Sequence, residues 1–252
     1  MITGRFLIEK VSAHWGARFN VPSLRFEQTG SIIIPDETFQ DTGNVNIYHV
    51  GKSSIVRMDP VICTQLQLRP RQELPSTLTL PELAEIVKLG MRHTAHVDLV
   101  GIGSYFYLDP QYFQPASSPH PATLVQLDPH TDAELIASLC RACPSADVED
   151  AELSADQPDA VIFGHILEGK LISYAGFRYW DEIFADIGVL THPQHRRARL
   201  ALAGTSRLCE WIIQHDLIPM YRVLNTNLAS RKVPEALGFS RMVEIEVLKV
   251  IN

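Results

Sequence analysis

The stretch Ile187–Gly204, IGVLTHPQHRRARLALAG, decides the fold of this chain because two structural elements and a loop follow one another within it. The apolar run FADIGVLT (184–191) is typical of a buried strand. The loop HPQHRR (192–197) follows that run, and its Pro193 favours a turn there. From Ala198 to His215 the apolar spacing is that of an amphipathic helix. The sequence therefore predicts a strand, a short loop and a helix.

The start of this helix is predicted to bind an anion. The first four backbone N–H groups of a helix have no partner within it, and the helix dipole adds about half a positive charge there. Arg196, Arg197 and Arg199 lie at this point, and His192 and His195 lie in the same loop. Cations are unfavourable at a helix start unless an anion arrives. The alternative is that these arginines form only a solvated, charged face.

The segments on either side extend this unit into an α+β domain. Upstream, the predicted strands are ATLVQLD and a hairpin of AVIFGHI and LISYAGFRYW, and the predicted helices are TDAELIASLC and DVEDAEL. Downstream follow the strand MYRVLNT, the helix NLASRKVPEAL with Gly238 as its stop signal, and the strand FSRMVEIEVLKV. The order β-α-α-β-β-β-α-β-α-β mixes antiparallel hairpins with one crossover, which favours α+β over a doubly wound sheet.

Three prolines and two serines in the segment Gln114–Pro121 interrupt all periodicity, as a linker would. We therefore predict a smaller N-terminal α+β domain over residues 1–114, a linker over 115–121 and a second domain over 122–252. In the first domain NVNIYHV and SSIVRMD are predicted strands, and LPELAEIVKLGMRH is a predicted helix capped by Thr79. The absence of a recognisable catalytic motif there favours a packing or substrate-shaping role.

Composition excludes several classes of protein. Apolar residues make up 46% and charged residues 20%, as in a globular protein, and the net charge of -7 argues against a nucleic-acid binder. No apolar run approaches the roughly 18 residues that cross a bilayer, and no signal peptide is evident, so we expect a cytoplasmic protein without membrane association. The four cysteines are expected to be free thiols, because the lone Cys-x-x-Cys at 140–143 lacks a second ligand pair for zinc.

The loop and the segment that follows it resemble a family signature. IGVLTHPQHRRARLALAG (187–204), followed by NTNLASRKVPEALGF (225–239), is similar in content and spacing to the GNAT superfamily of N-acetyltransferases. The resemblance covers about half of the chain, residues 121–252. It implies a mixed, mostly antiparallel central sheet flanked by helices, with acetyl-CoA as the co-substrate and no metal.

The resemblance assigns coenzyme A contacts position by position. Backbone groups of Val189, Leu190 and Thr191 would pair with the pantetheine arm, as an extra strand would. Asn227 matches the family's asparagine that steadies the pantetheine, and Ser230 would cap the helix or touch the cofactor. The loop motif would bind the diphosphate through its first residue and the amides that follow: Arg196, Arg197, Ala198, Arg199, Leu200 and Ala201.

Two positions depart from the family pattern. Arg199 stands where the motif has a glycine, which lets the backbone approach a phosphate without a side chain in the way. Pro234 stands where many relatives have a tyrosine that protonates the leaving thiolate. Because proline removes a helix hydrogen bond, we expect the helix around it to start late or to kink.

Direct attack by an amine needs a base for its proton and a donor for the carbonyl oxygen. The Leu190 N–H is the candidate donor. Asp186, Glu182 and Glu168 are the candidate bases, because each lies on or beside a strand that flanks the expected acceptor cleft; the alternative for each is an exposed turn or strand carboxylate. Tyr221 is the candidate replacement acid, with half-buried packing as its alternative.

The sequence thus predicts an N-acetyltransferase that uses acetyl-CoA to acetylate a small-molecule amine or the amino group of a peptide. The alternative is a non-catalytic acyl-CoA-binding or protein-interaction module with a degenerate fold, motivated by Arg199 and Pro234. A nucleic-acid partner is disfavoured because aromatic and basic residues do not interleave. The sequence names no acceptor and leaves the oligomeric state open, with a homodimer among the candidates.

Overall fold

The structure is a computed structural model that describes residues 4–91, 95–153 and 159–251. Its contacts divide the chain into two compact units. The first comprises the described residues up to Tyr105 together with Leu224–Thr226 and those from Arg241 onward. The second comprises the described residues of Phe106–Val223 and Asn227–Ser240. The sequence-based domain limits at 114 and 122 stay a prediction about independent folding.

Eleven strands and seven helices make up these units in the described ranges. The strands are β1 (Gly30–Pro35), β2 (Asn44–Val50), β3 (Ser53–Met58), β4 (Glu73–Leu74), β5 (His96–Tyr107), β6 (Thr123–Leu127), β7 (Val161–Leu167), β8 (Lys170–Trp180), β9 (Phe184–Thr191), β10 (Ile218–Leu224) and β11 (Ser240–Ile251). The helices are α1 (Gly4–Phe19), α2 (Pro60–Gln65), α3 (Leu80–Gly90), α4 (Ala133–Ala142), α5 (Ser145–Asp150), α6 (Leu200–Gln214) and α7 (Leu228–Leu237).

In the first unit, β2 pairs antiparallel with β3, and β1 lies parallel to β3 and antiparallel to β4. The two strands predicted from NVNIYHV and SSIVRMD are β2 and β3. The predicted helix is α3, whose Thr79 and Glu82 form a capping box. Arg92 and His93, the end of that predicted helix, lie outside the described residues. Helix α1 buries a stripe of apolar side chains at four-residue spacing: Leu7, Val11, Trp15 and Phe19.

Strand β11 is also part of the first unit's sheet. It pairs antiparallel with β2, from Val243 opposite Val50 to Lys249 opposite Asn44. Its buried side chains Leu248 and Val250 belong to the same core as Ile47 of β2. The last strand of the chain therefore completes a sheet whose other strands lie far earlier in the sequence.

The elements from β6 to α7 follow one another in the predicted order within the second unit, whereas the tenth predicted element, β11, lies in the first unit. Strands β6, β7, β8 and β9 pair antiparallel in succession, and β10 then lies parallel to β9. Apolar side chains of α6 and α7, including Leu208, Ile212 and Leu237, are buried in one core. Leu139 of α4 is buried in a second core with Ile162 and Leu190. The unit is thus an α+β fold with a mostly antiparallel sheet, as predicted.

The four cysteines are free, as expected from the sequence. Burial raises the pKa of the Cys63 thiol to about 11 and also raises that of Cys140, Cys143 and Cys209. These thiols are therefore protonated and weak nucleophiles at neutral pH. None of the described helices has the length and apolar character that crossing a bilayer requires.

Candidate active site

The central feature of the second unit is a split between its two parallel strands. Strands β9 and β10 pair over four positions only, Ile218–Tyr221 with Phe184–Ile187. On its other edge β9 stays paired with β8 as far as Thr191. In the described pairing, Gly188–Thr191 therefore has no strand partner on the β10 side. An extended ligand can pair with the main chain of such an edge.

Val189, Leu190 and Thr191, the predicted pantetheine contacts, lie on this split. Gly188 marks a close approach at its start: a side chain there would collide with the carbonyl oxygen of Ala151, which lies 2.4 Å from the ideal Cβ position. At the other end the Cys143 thiol lies 3.9 Å from the Thr191 carbonyl oxygen. The segment that follows α4 therefore packs along the split.

The loop after β9 has two residues in the left-handed region, Arg197 with φ 64° and Arg199 with φ 61°. Arg199 is the N-cap of α6, so the helix begins at Leu200, two residues later than the predicted start at Ala198. The position where the family motif has glycine thus has a backbone conformation that glycine adopts at low cost. This chain places an arginine in that conformation.

The start of α6 offers donors for an anion. The Ala203 N–H makes a helical hydrogen bond to the Arg199 carbonyl, so the amides of Leu200, Ala201 and Leu202 belong to the unpaired first turn. The exposed side chains of Arg197 and Arg199 form no hydrogen bond or ion pair with the described residues. The start of α6 thus has first-turn amides beside two guanidinium groups that are unpaired among the described residues, and its binding of an anion stays a prediction.

Arg196, the first residue of the loop motif, is already engaged. Its Nη2 forms an ion pair with Asp147 Oδ2 at 2.5 Å, and its Nε lies 3.4 Å from the Thr191 carbonyl oxygen. The side chains of Arg196 and Asp147 are 46% and 35% exposed, so this pair is open to solvent and to an incoming anion. Ala198 lies between the two left-handed arginines, and its carbonyl accepts a hydrogen bond from the Ser118 hydroxyl.

Three histidines gather at the same loop. The His195 ring lies 5.4 Å from that of His192 and 5.6 Å from that of His120. Desolvation lowers the pKa of His195, and the neighbouring His192 and His120 lower it further. His195 is therefore mostly neutral at pH 7, and a bound phosphate would favour its protonation.

Asn227 begins α7 as its N-cap. Its Oδ1 accepts the Ser230 N–H at 3.1 Å, and its Nδ2 donates to Asp150 Oδ2 at 3.2 Å. Because this cap fixes the first turn, α7 begins at Leu228 and continues through Pro234. Of the two expected effects, a late start or a kink, the late start does not occur, since Pro234 removes one hydrogen bond without preventing the turns before it.

Tyr221 and Ser230 form a pair beside this helix. The phenol oxygen of Tyr221 lies 2.8 Å from Ser230 Oγ. Tyr221 is buried in the core of the unit, and burial raises its pKa to about 12. The phenol is therefore protonated at neutral pH and can act as a proton donor, not as a base.

Asp186 on β9 lies in a group of charged side chains. Arg222 on β10 directs Nε at 3.0 Å and Nη2 at 2.5 Å to Asp186 Oδ2, and its Nη2 also lies 2.7 Å from Glu152 Oε2. The Arg222 guanidinium lies 4.9 Å from the centre of the Trp180 ring. Burial raises the pKa of Asp186, and Arg222 opposes this rise. Asp186 therefore combines a raised pKa with a fixed orientation.

A second arginine connects the same group to buried residues. Arg178 on β8 forms an ion pair with Asp159 at 3.1 Å and a hydrogen bond to the Glu152 carbonyl. The Tyr174 hydroxyl donates to Asp159 at 2.6 Å. Arg178 also lines a small cleft of about 30 Å³, together with Asp150, Ala151, Glu152, Asp186, Ile187, Gly188 and Arg222. The cleft adjoins the start of the split and contains one of the three candidate bases.

The other two candidate bases lie elsewhere. Glu182 is exposed in the turn between β8 and β9, at the end of β9 opposite the loop. Glu168 is exposed in the hairpin turn between β7 and β8, with φ 49°. Neither lines the cleft. The structure brings together Asp186 with Arg222, and Tyr221 with Ser230.

Three polar contacts join the segment Asp147–Glu152 to groups around the split. Asp147 pairs with Arg196, Asp150 accepts from Asn227, and Glu152 pairs with Arg222. We call this segment the acidic strap. Sequence reasoning overlooked it and both cleft arginines, because the predicted helix DVEDAEL gives no sign of its long-range partners. The only signal was the density of carboxylates in that helix.

No group of three or more histidine, cysteine or carboxylate side chains could hold a metal ion in the described part of the chain. The site instead offers an edge of β9 for an extended ligand, free amides and arginines for an anion, and a cleft with a partly buried carboxylate. Such a combination suits a long, anionic co-substrate whose reactive end reaches the cleft.

Comparison with known proteins gives one family and one fold. The sequence profile of the acetyltransferase (GNAT) family matches residues 132–239. An acetyltransferase of the GNAT family from Colwellia psychrerythraea shares the fold with a TM-score of 0.50 at 14% identity, over 78% of this chain and 76% of that one. No curated protein sequence matches significantly.

Two further solved structures match with lower TM-scores. A GCN5-related N-acetyltransferase from Kribbella flavida is 16% identical over 67% of this chain and 63% of that one, with a TM-score of 0.48. A GCN5-related N-acetyltransferase-like protein from Streptococcus suis is 14% identical over 96% of this chain and 100% of that one, also with a TM-score of 0.48.

Proposed function

Residues 132–239 belong to the acetyltransferase (GNAT) family, and from this premise we propose that the chain is an acetyl-CoA-dependent N-acetyltransferase. It would transfer an acetyl group directly to an amine acceptor in a ternary complex. One observation carries the proposal: β9 and β10 separate after four paired positions, beside a helix start with two unpaired arginines. An open strand edge next to an anion site fits the pantetheine and the diphosphate of one molecule.

Described residues would bind two parts of coenzyme A, the pantetheine arm and the diphosphate. Val189 and Thr191, whose backbone groups point to the open edge of β9, would pair with the amides of the pantetheine arm, whereas Leu190 pairs with Tyr174 of β8. The amides from Leu200 to Leu202 and the side chains of Arg197 and Arg199 would bind the diphosphate. Arg196 would join them after exchanging Asp147 for a phosphate oxygen. Asn227 would steady the pantetheine from the other side of the split.

The bound co-substrate supplies an acetyl thioester, whose carbonyl carbon forms a bond to the amine nitrogen while its bond to sulfur breaks. Asp186 would take the proton that the amine loses. It is the best placed of the three candidates because it lines the cleft and burial raises its pKa. The Leu190 N–H faces β8, because Leu190 pairs with Tyr174 in the same register in which the His192 N–H donates to the Ile172 carbonyl. The Val189 N–H, on the open edge, would instead donate to the carbonyl oxygen as negative charge develops there.

Tyr221 would return a proton to the departing sulfur, directly or through Ser230. Its raised pKa keeps the proton on oxygen over the whole working range of pH. The 2.8 Å contact between the two hydroxyls gives the proton a defined route toward α7. This pair would replace the tyrosine that many relatives place at the position of Pro234.

A non-catalytic coenzyme A-binding module is the second candidate. Two observations favour it: Arg199 adopts a left-handed conformation that glycine would adopt without strain, and Tyr221 is buried within the core. Such a protein would keep the open edge of β9 and the anion site. It would differ from an enzyme only in lacking turnover.

Calorimetry with coenzyme A and a turnover assay with acetyl-CoA separate these possibilities. The acceptor panel should contain monoamines, diamines, amino acids and peptides with a free amino terminus. We expect binding in the micromolar range and acetylation of at least one amine class. Binding without turnover on the whole panel would favour the module, and no binding at millimolar coenzyme A would exclude both readings.

A further inference from the structure

We propose that Arg222 is a positioning residue that fixes the Asp186 carboxylate for proton transfer from the acceptor amine. The inference rests on the proposed function, because it concerns the base of that reaction. Arg222 itself would touch neither the amine nor the thioester. It would act through Asp186, by holding one carboxylate oxygen and leaving the other available.

The geometry separates the two oxygens of Asp186. Both Nε and Nη2 of Arg222 donate to Oδ2, at 3.0 and 2.5 Å, and no described residue donates to Oδ1. The Asp186 side chain is 14% exposed and lines the cleft beside Gly188. Oδ1 is thus the oxygen that can receive a proton, and the guanidinium fixes the direction in which it points.

Arg222 is itself held from three sides. Its β10 backbone position is next to Tyr221, the last residue paired with β9. Its guanidinium lies against the Trp180 ring and forms an ion pair with Glu152 of the acidic strap. A guanidinium that stacks on an aromatic ring and binds two carboxylates has a defined orientation, which an ammonium at the same position would lack.

Four charged groups face Asp186 from the elements packed around it. Arg222 on β10 and Arg178 on β8 favour the carboxylate form of Asp186, whereas Glu152 of the acidic strap disfavours it. Asp159, which pairs with Arg178, repels the Asp186 carboxylate. Burial, like the neighbouring carboxylates, raises the pKa of Asp186. Arg222 makes the largest opposing contribution, since it alone hydrogen-bonds to Asp186.

The test measures the ionisation of Asp186 in two independent ways in the full chain. We would compare wild type, Arg222→Gln and Arg222→Lys in the pH profile of kcat/KM and in a carbon-13 NMR titration of the Asp186 carboxyl. Arg222→Gln should raise the Asp186 pKa by about one unit or more in both, since it removes the adjacent positive charge. Arg222→Lys should leave the Asp186 pKa close to its wild-type value, because the positive charge remains. It should lower kcat, since a point charge does not orient the carboxylate.

Arg231→Gln is the matched control, because Arg231 lies in the same unit and pairs only with Glu235 on the surface of α7. It should leave both titrations unchanged. An unshifted Asp186 titration in a folded Arg222→Gln protein would overturn the positioning role. So would a shifted titration with an unshifted rate profile, because Asp186 would then not be the base.

The NMR titration needs no turnover. If the chain acetylates no amine, the proposed function is refuted. The effect of Arg222 on the Asp186 titration can still be measured in that case. If Arg222→Gln fails to fold, Arg222→Lys carries the test: full wild-type kcat with the lysine would refute the orienting role of the guanidinium.

Discussion

Asp147 and Arg196 form an ion pair on the surface of the second unit, with Oδ2 and Nη2 2.5 Å apart. Arg196 is the residue that the loop motif assigns to a diphosphate, so the carboxylate of the acidic strap holds the place that a phosphate oxygen would take. Under the proposed function, binding of coenzyme A would exchange one anion for the other. This exchange makes the strap a competitor of the co-substrate.

Asp147→Asn should therefore strengthen coenzyme A binding. An exposed ion pair contributes up to about 1 kcal/mol, so its removal should lower the dissociation constant by about two- to fivefold, and less at high salt. Calorimetry at two salt concentrations measures this. Glu149→Gln removes the same charge from the same short helix without breaking the pair, and should have a smaller effect. Equal effects of the two variants would show that the ion pair itself does not matter.

Arg199→Gly should stabilise the protein. Arg199 has φ 61°, a conformation that costs an L-residue about 1 kcal/mol and glycine almost nothing. We expect a rise of a few degrees in Tm by thermal unfolding, equivalent to about 1 kcal/mol. Arg207→Gly, in the middle of α6, is the control and should destabilise by about 1 kcal/mol. A lower Tm for Arg199→Gly would show that the arginine stabilises the loop through contacts of its own.

Asp186→Asn should abolish most acetyl transfer, whereas Glu182→Gln and Glu168→Gln should not. Loss of a general base typically lowers the rate by about 10²- to 10⁴-fold. Steady-state kinetics with the best acceptor, together with coenzyme A binding as a check of folding, distinguishes the three variants. Wild-type turnover in Asp186→Asn would move the base to another carboxylate of the cleft.

Tyr221→Phe should lower kcat and leave coenzyme A binding almost unchanged. It removes the proposed proton donor while it keeps the buried ring. Because the pKa of Tyr221 is about 12, its ionisation should not limit the wild-type rate below about pH 11. Ser230→Ala would show whether the proton passes through the serine. An unchanged kcat in both variants would show that solvent, and not Tyr221 or Ser230, protonates the leaving thiolate.

The fold of the second unit could be predicted from the sequence because its signals are local. The apolar run FADIGVLT, the Pro-containing turn and the stop at Gly238 each depend on near neighbours, and the ten elements from β6 to β11 occur in the predicted order, although β11 lies in the first unit. Helix α1 was missed although Leu7, Val11 and Trp15 carry a four-residue spacing. That signal was present in the sequence and was overlooked.

The site could be predicted only in part, for a physical reason. The amides at the start of α6 follow from a strand, a loop and a helix in succession, so the sequence indicates them directly. The Arg222 contacts with Asp186 and Glu152 depend on how β9, β10 and the acidic strap come together. No local sequence pattern predicts these tertiary contacts, and a single arginine in the middle of a strand does not indicate them.

Strand β11 has a consequence for synthesis on the ribosome. It pairs with β2, so the edge of β2 (residues 44–50) stays unpaired during synthesis until residues 243–249 have been made. The nascent first unit must therefore persist with an unpaired β2 edge while the second unit is made, which prolongs its exposure to chaperones and to aggregation. Shortening the chain from its carboxyl end would unsettle the unit translated first, and the GNAT-family segment 132–239 would remain intact in sequence.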